Sequence, residues 1–159
     1  MAQYKSRQLE LFMEQITQYQ TLLLDTNALI YFLDDVSGYA DLLEPIFNLA
    51  EQGQIRINLS AISEAELLVK PYREGNLETV KVIKFWIEEF PNLKVIPVSR
   101  EIAHKAAELR GVLGLRLPDA LVLATAINTD SELIVGNDFQ MLRKAAAYLP
   151  GLTLEHYLS

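Results

Sequence analysis

The sequence predicts an α/β sandwich around a mostly parallel central sheet, and three observations carry that prediction. Short apolar runs at 21–24, 55–59, 93–98 and 133–135 read as strands. Segments of helical period lie between them. The 159 residues are enough for one domain that buries roughly two thirds of its unfolded surface.

Taken in order, Leu9, Phe12, Met13, Ile16 and Tyr19 recur at helical spacing and predict an amphipathic helix over 6–19. A strand follows at 21–24, then a helix from Ala28 to Leu33. After the Ser37-Gly38 turn a helix runs from Tyr39 to Glu51, with Gly53 as its C-terminal cap. Ile55 to Leu59 alternates with Arg56 and Asn58 and reads as a strand. Ile62 to Val69 reads as a helix that stops before Pro71, since proline lacks the N–H a helix interior uses. Residues 76–89 form a helix ended by Pro91. Leu93 to Val98 supplies a strand, and Arg100 to Leu113 a helix bounded by Gly111 and Gly114. Pro118 to Asn128 is apolar on nearly every side, as a buried helix must be, and Pro118 suits its first turn. Leu133 to Val135 is a strand, Asp138 to Tyr148 a helix, and Leu152 to Leu154 a final edge strand. No internal repeat, linker or low-complexity segment interrupts the pattern.

Composition narrows the chemistry. With no cysteine, disulfides, thiolate metal sites and cysteine nucleophiles are excluded. His104 and His156 are the only histidines, so any bound metal would take oxygen ligands, which favours magnesium or manganese. The N-terminus lacks the basic and apolar pattern of a signal peptide, and no run approaches the roughly 20 apolar residues of a membrane span. The expectation is a soluble, cytoplasmic protein with no membrane partner. A net charge of −7 opposes nucleic-acid binding on average, yet an acidic metal pocket and a local basic rim are compatible with it.

Ligand sites in parallel α/β sheets lie beyond the carboxyl ends of strands. Asp25 follows the first strand, Glu66 lies on the helix after the second, and Asp138 comes shortly after the strand at 133–135. Each has a structural explanation. Asp25 or Thr26 caps the next helix, Ser63 and Glu66 have capping-box spacing, and Asp119 and Asp138 lie in first turns where the helix dipole favours a carboxylate. Convergence favours a metal instead, because parallel strands bring the loops after 24, 59 and 135 to one edge. A close carboxylate pair there repels by roughly 4 kcal/mol at 4 Å, and a divalent cation reverses the sign. For Asp119 the pattern of the chain gives no such placement.

The runs LLLDTNALI, ISEAELLV, LPDALVLATAI and LIVGNDFQML, in that order, resemble the PIN domain, and especially the VapC-type ribonuclease toxins of toxin-antitoxin modules. The resemblance covers about 21–158 and implies a PIN-like, Rossmann-like three-layer sandwich over 21–159, with residues 1–20 as an N-terminal helical extension. It makes Asp25, Glu66, Asp119 and Asp138 a catalytic quartet that binds Mg2+ or Mn2+. Asn27 would help orient Asp25, and Ser63 would support the site. Glu66 is preferred over Glu64 because it precedes the Leu67-Leu68 pair as the family acid does. One departure is Gly136, where many relatives carry a threonine whose hydroxyl orients a water or phosphate.

The implied activity is metal-dependent hydrolysis of RNA phosphodiesters by the toxin of a toxin-antitoxin pair. Arg116, Arg73 and Lys70, with Arg100 and Lys105, are candidates for a basic rim, and Arg116 is foremost because it lies three residues before Asp119. The implied partners are RNA, a cognate antitoxin and a second copy of the chain. Leu42, Leu43, Ile46, Phe47, Leu49, Phe85 and Trp86 offer more apolar surface than one small sheet needs. Two alternatives stand beside this reading: a catalytically inactive PIN-fold interaction module, and a receiver-like or phosphatase-like domain.

Overall fold

Thr21–Leu24 forms the central strand, β1, of the computed structural model, which describes residues 2–158. Around it lie β2 (Arg56–Ser60), β3 (Leu93–Ile96), β4 (Leu133–Gly136) and β5 (Gly151–Thr153). Their order across the sheet is β3-β2-β1-β4-β5, and every pairing is parallel. Parallel strands need crossover connections, and helices supply them here. These are α1 (Ala2–Ile16), α2 (Thr26–Leu33), α3 (Tyr39–Glu51), α4 (Ala61–Arg73), α5 (Leu77–Glu89), α6 (Arg100–Leu113), α7 (Leu117–Asn128) and α8 (Phe139–Ala145). A short 3-10 turn, Leu154–Tyr157, follows β5.

The side-chain period of two divides β1 between two cores. Leu22 and Leu24 join one cluster with Phe12, Leu29, Leu43, Ile46 and Ile87. Leu23 joins the other with Ile102, Leu109, Val122, Leu123 and Met141. Helices α1, α2, α3 and α5 therefore cover one face and α6, α7 and α8 the other, which gives three layers. Because β1 carries side chains into both cores, each of its three leucines is fully buried.

Several boundaries differ from the sequence expectations. Helix α1 begins at Ala2 and ends at Ile16, because the Thr17 hydroxyl joins its own N–H on the Met13 carbonyl, each at 2.9 Å. Helix α4 runs through Pro71 to Arg73. Proline costs one N–H there, but it lies in the last turn, its φ is helical, and the Glu74 N–H closes the turn on Lys70 at 3.0 Å. Helix α6 likewise passes through Gly111 and stops at Gly114, whose φ of +68° is the left-handed cap conformation.

Helix α1 packs on the domain. Phe12 and Ile16 are fully buried, and the Phe12 ring meets Tyr157 edge-on at 5.1 Å. The apolar residues of α3 are consumed in the same way: Leu42, Leu43, Ile46 and Phe47 are buried, and Phe47 packs among Phe32, Trp86 and Phe90. The surplus apolar surface expected from that helix therefore shrinks. Among the apolar residues that stay exposed, Val69 and Tyr72 lie on α4 and Val82 and Phe85 on α5.

Candidate active site

The strand order places a topological switch point between β1 and β4, since β2 and β3 lie on one side of β1 and β4 and β5 on the other. Ligand crevices in parallel sheets open at such points, beyond the carboxyl ends of the strands. Asp25 leaves β1 on one side of this crevice, and β4 ends at Gly136 on the other, followed by Asn137 and Asp138.

Asp25 is the N-cap of α2, with its Oδ1 accepting from the Thr26 N–H at 2.7 Å. Its own N–H donates to the Val135 carbonyl at 2.9 Å, which fixes it against β4. Capping uses one carboxylate oxygen only. Among the described residues no side chain or N–H donates to Oδ2. The residue is only 5% exposed, and its pKa is raised from 3.8 to about 6. Burial is the main cause, opposed by the Thr26 hydrogen bond and reinforced by the charges of Asp119, Glu66 and Asp138. All four predicted acids thus act electrostatically on one place.

Gly136 explains how Asp25 fits. A Cβ at that position would lie 3.0 Å from the Asp25 Cβ and 3.2 Å from its Oδ2. In this chain the absence of a side chain at that position leaves room for the carboxylate.

Glu66 projects from the second turn of α4. The Thr26 hydroxyl faces two acceptors, the Ser63 hydroxyl oxygen at 2.8 Å and Glu66 Oε1 at 3.3 Å. Ser63 is fully buried against the Thr26 hydroxyl and does not start a capping box. The N-cap of α4 is Ser60, whose Oγ accepts from the Ile62 N–H at 3.2 Å, because β2 turns directly into the helix. Asn27 is exposed, and the Thr26 N–H takes the orienting role expected of it. Thr26 is the residue that sequence reasoning missed. The D-T-N run contained it, but nothing local indicated that its hydroxyl would face another helix.

Asp119 lies in the first turn of α7, and its Oδ2 accepts from the Arg116 Nε at 3.2 Å. That hydrogen bond and the charge of Asp119 push the Arg116 pKa up, with smaller contributions from Asp138 and Glu66. Asp138 caps α8, accepting from the Met141 N–H at 3.1 Å. Lys70 and Arg73 are exposed in the last turn of α4, one and two turns beyond Glu66. His104 is exposed on α6.

The donor set fits a hard divalent cation. It is all oxygen, and the buried Asp25 carries a carboxylate oxygen with no protein donor among the described residues. Among those residues, no three acids stand close enough together to enclose an ion by themselves. Mg2+ does not require that, since it usually takes one or two carboxylates and keeps several waters.

Comparison with known proteins agrees with this architecture. The PIN domain family model matches residues 22–147. No curated protein matches the sequence. Among solved structures, the chain is similar to one in VapBC2 from Rickettsia felis bound to a promoter DNA fragment, at 19% identity and a TM-score of 0.65, covering 84% of this chain and 98% of that one. A chain of DNA-bound VapBC from Salmonella typhimurium is similar at 17% identity and a TM-score of 0.67, covering 85% and 98%. One in a toxin-antitoxin complex from Klebsiella pneumoniae is similar at 23% identity and 0.60, covering 84% and 97%. These likenesses show the fold. No single helix among the described residues is long and apolar enough to cross a membrane.

Proposed function

Because this chain belongs to the PIN domain family, we propose that it is a metal-dependent endoribonuclease, hydrolysing RNA phosphodiester bonds as the toxin of a toxin-antitoxin pair. The observation that carries this reading is Asp25. Its carboxylate is buried at the switch point, has one oxygen with no donor among the described residues, and feels the charges of Asp119, Glu66 and Asp138. Helix capping accounts for the other oxygen alone.

In this reading Asp25 and Asp119 hold Mg2+ or Mn2+ directly, and Glu66 and Asp138 complete the site or hold its waters. A bound divalent ion supplies a Lewis acid that activates water and offsets charge on the phosphate. The chain's own residues do the positioning. The Thr26 N–H fixes one oxygen of Asp25, Gly136 leaves space for the other, and the Thr26 hydroxyl steers Glu66. With a net charge of −7, the chain needs local cations to receive a phosphate backbone. Arg116 is the nearest to the acids, and Lys70 and Arg73 extend that rim along α4.

The similarity to chains from VapBC and other toxin-antitoxin complexes supports an antitoxin as protein partner. A second copy of this chain is the other partner the reading includes. The cytoplasm is the compartment in which such a nuclease would meet RNA.

Incubation of the purified protein with structured RNA and Mn2+, with and without chelator, tests the activity. The expected result is cleavage that chelator stops and Asp25→Asn abolishes. Cleavage indifferent to both, or no cleavage at all, would contradict it; the latter would favour the interaction-module alternative.

A further inference from the structure

Arg116 occupies a position that helix chemistry does not favour. It is the N-cap of α7, yet it makes no side-chain capping bond. It also places a cation at the positive end of the helix dipole, where an anion would be stabilised. The compensation is local. Arg116 Nε donates to Asp119 Oδ2 at 3.2 Å, and the Asp119 side chain is only 17% exposed while that of Arg116 is 78% exposed. The guanidinium therefore lies over the carboxylate from the solvent side. Only Nε is engaged, and the two terminal nitrogens have no partner among the described residues.

From this arrangement we infer that Arg116 is a built-in counter-ion of the acidic site, which a divalent cation displaces from Asp119 and which then serves as a phosphate contact. The inference rests on the metal-dependent reading above and adds a competition to it. Without metal, Arg116 offsets part of the mutual repulsion of the acids. When an ion takes the Asp119 oxygen, the Nε contact is lost, because the dication outcompetes a single exposed hydrogen-bonded cation. The side chain is then held only by its stem, and its planar fork suits bidentate binding of a phosphate. Metal and arginine share one carboxylate, so the site exchanges a cation that blocks Asp119 for one that uses it.

Two measurements on the full chain test this. Calorimetric Mn2+ titration is expected to show Arg116→Gln binding the ion about three- to fivefold more tightly than wild type, as loss of an exposed ion-pair competitor allows. Lys81→Gln, on the exposed side of α5, should bind like wild type. In the second, the NMR cross-peak of the Arg116 Nε–H is followed during Mg2+ titration and is expected to shift with the binding midpoint. Equal or weaker Mn2+ binding by Arg116→Gln, or an unmoved Nε–H peak while Mg2+ binds, would overturn the competition and leave the metal reading intact. Failure of wild type to bind either ion would overturn both.

Discussion

The backbone of Gly136 approaches Asp25 so closely that a methyl group there would sit 3.0 Å from the Asp25 Cβ. Gly136→Ala therefore forces Asp25 to move by a few tenths of an ångström. The expected cost is about 1–2 kcal/mol of stability by overpacking, with a larger loss for Gly136→Thr. Because the displaced group is the proposed metal ligand, Mn2+ affinity should fall about tenfold in Gly136→Ala. Denaturant unfolding and Mn2+ titration of the same variant measure the two effects. Unchanged affinity would remove Gly136 from the site.

The raised pKa of Asp25 makes the metal-free protein pH-sensitive in a definite direction. Below pH 3.8 Asp25 is protonated in both states, and between 3.8 and about 6 the unfolded chain has released a proton that the folded chain keeps. The unfolded state then binds fewer protons, so stability falls as pH rises, by about 3 kcal/mol at most once Asp25 ionises in the fold. Asp25→Asn should therefore melt at a higher temperature than wild type at pH 7.5 without metal. At pH 4 the difference should vanish. Thermal melts at the two pH values check this, and identical melts at pH 7.5 would contradict the burial argument.

Thr26→Val keeps the shape of a buried side chain and removes the hydroxyl that faces Ser63 and Glu66. Leaving Ser63 without that partner should cost about 1–2 kcal/mol. Release of Glu66 should lower RNA cleavage by a larger factor than the stability loss explains, roughly tenfold or more at a temperature where the variant is fully folded. Ser63→Ala should share the stability loss and largely spare cleavage. Unfolding curves and single-turnover rates separate the two.

Helix α1 contributes to the hydrophobic core. Phe12 and Ile16 are fully buried in the core that also holds Leu22 and Leu24. Phe12→Ala should cost about 3–5 kcal/mol. A chain beginning at residue 21 should show exchange-broadened NMR spectra and a much lower melting temperature. A 21–159 fragment as stable as the full chain would contradict this.

The fold was legible because its signals are regional: a fully apolar first strand, helical period between strands, and the crossovers that parallel pairing demands. The acids Asp25, Glu66 and Asp138 could be placed at one edge for the same reason. Asp119 could not, since its helix follows another helix, and only the packing of α7 brings its charge to bear on Asp25. Contacts between distant elements were also hidden. The Thr26 hydroxyl meets α4, and Gly136 reads as a lost hydroxyl until its distance to Asp25 is known. Pro71 misled because a last-turn proline costs one hydrogen bond without breaking the helix.

The proposed nuclease requires that a divalent cation bind at Asp25 with a second acid from this edge. Anomalous diffraction from an Mn2+-soaked crystal tests it most directly. A manganese peak is expected at about 2.0–2.3 Å from Asp25 Oδ2 and from an oxygen of Asp119, Glu66 or Asp138. Saturating Mn2+ with no peak at Asp25, or with peaks only at other surface acids, would contradict it.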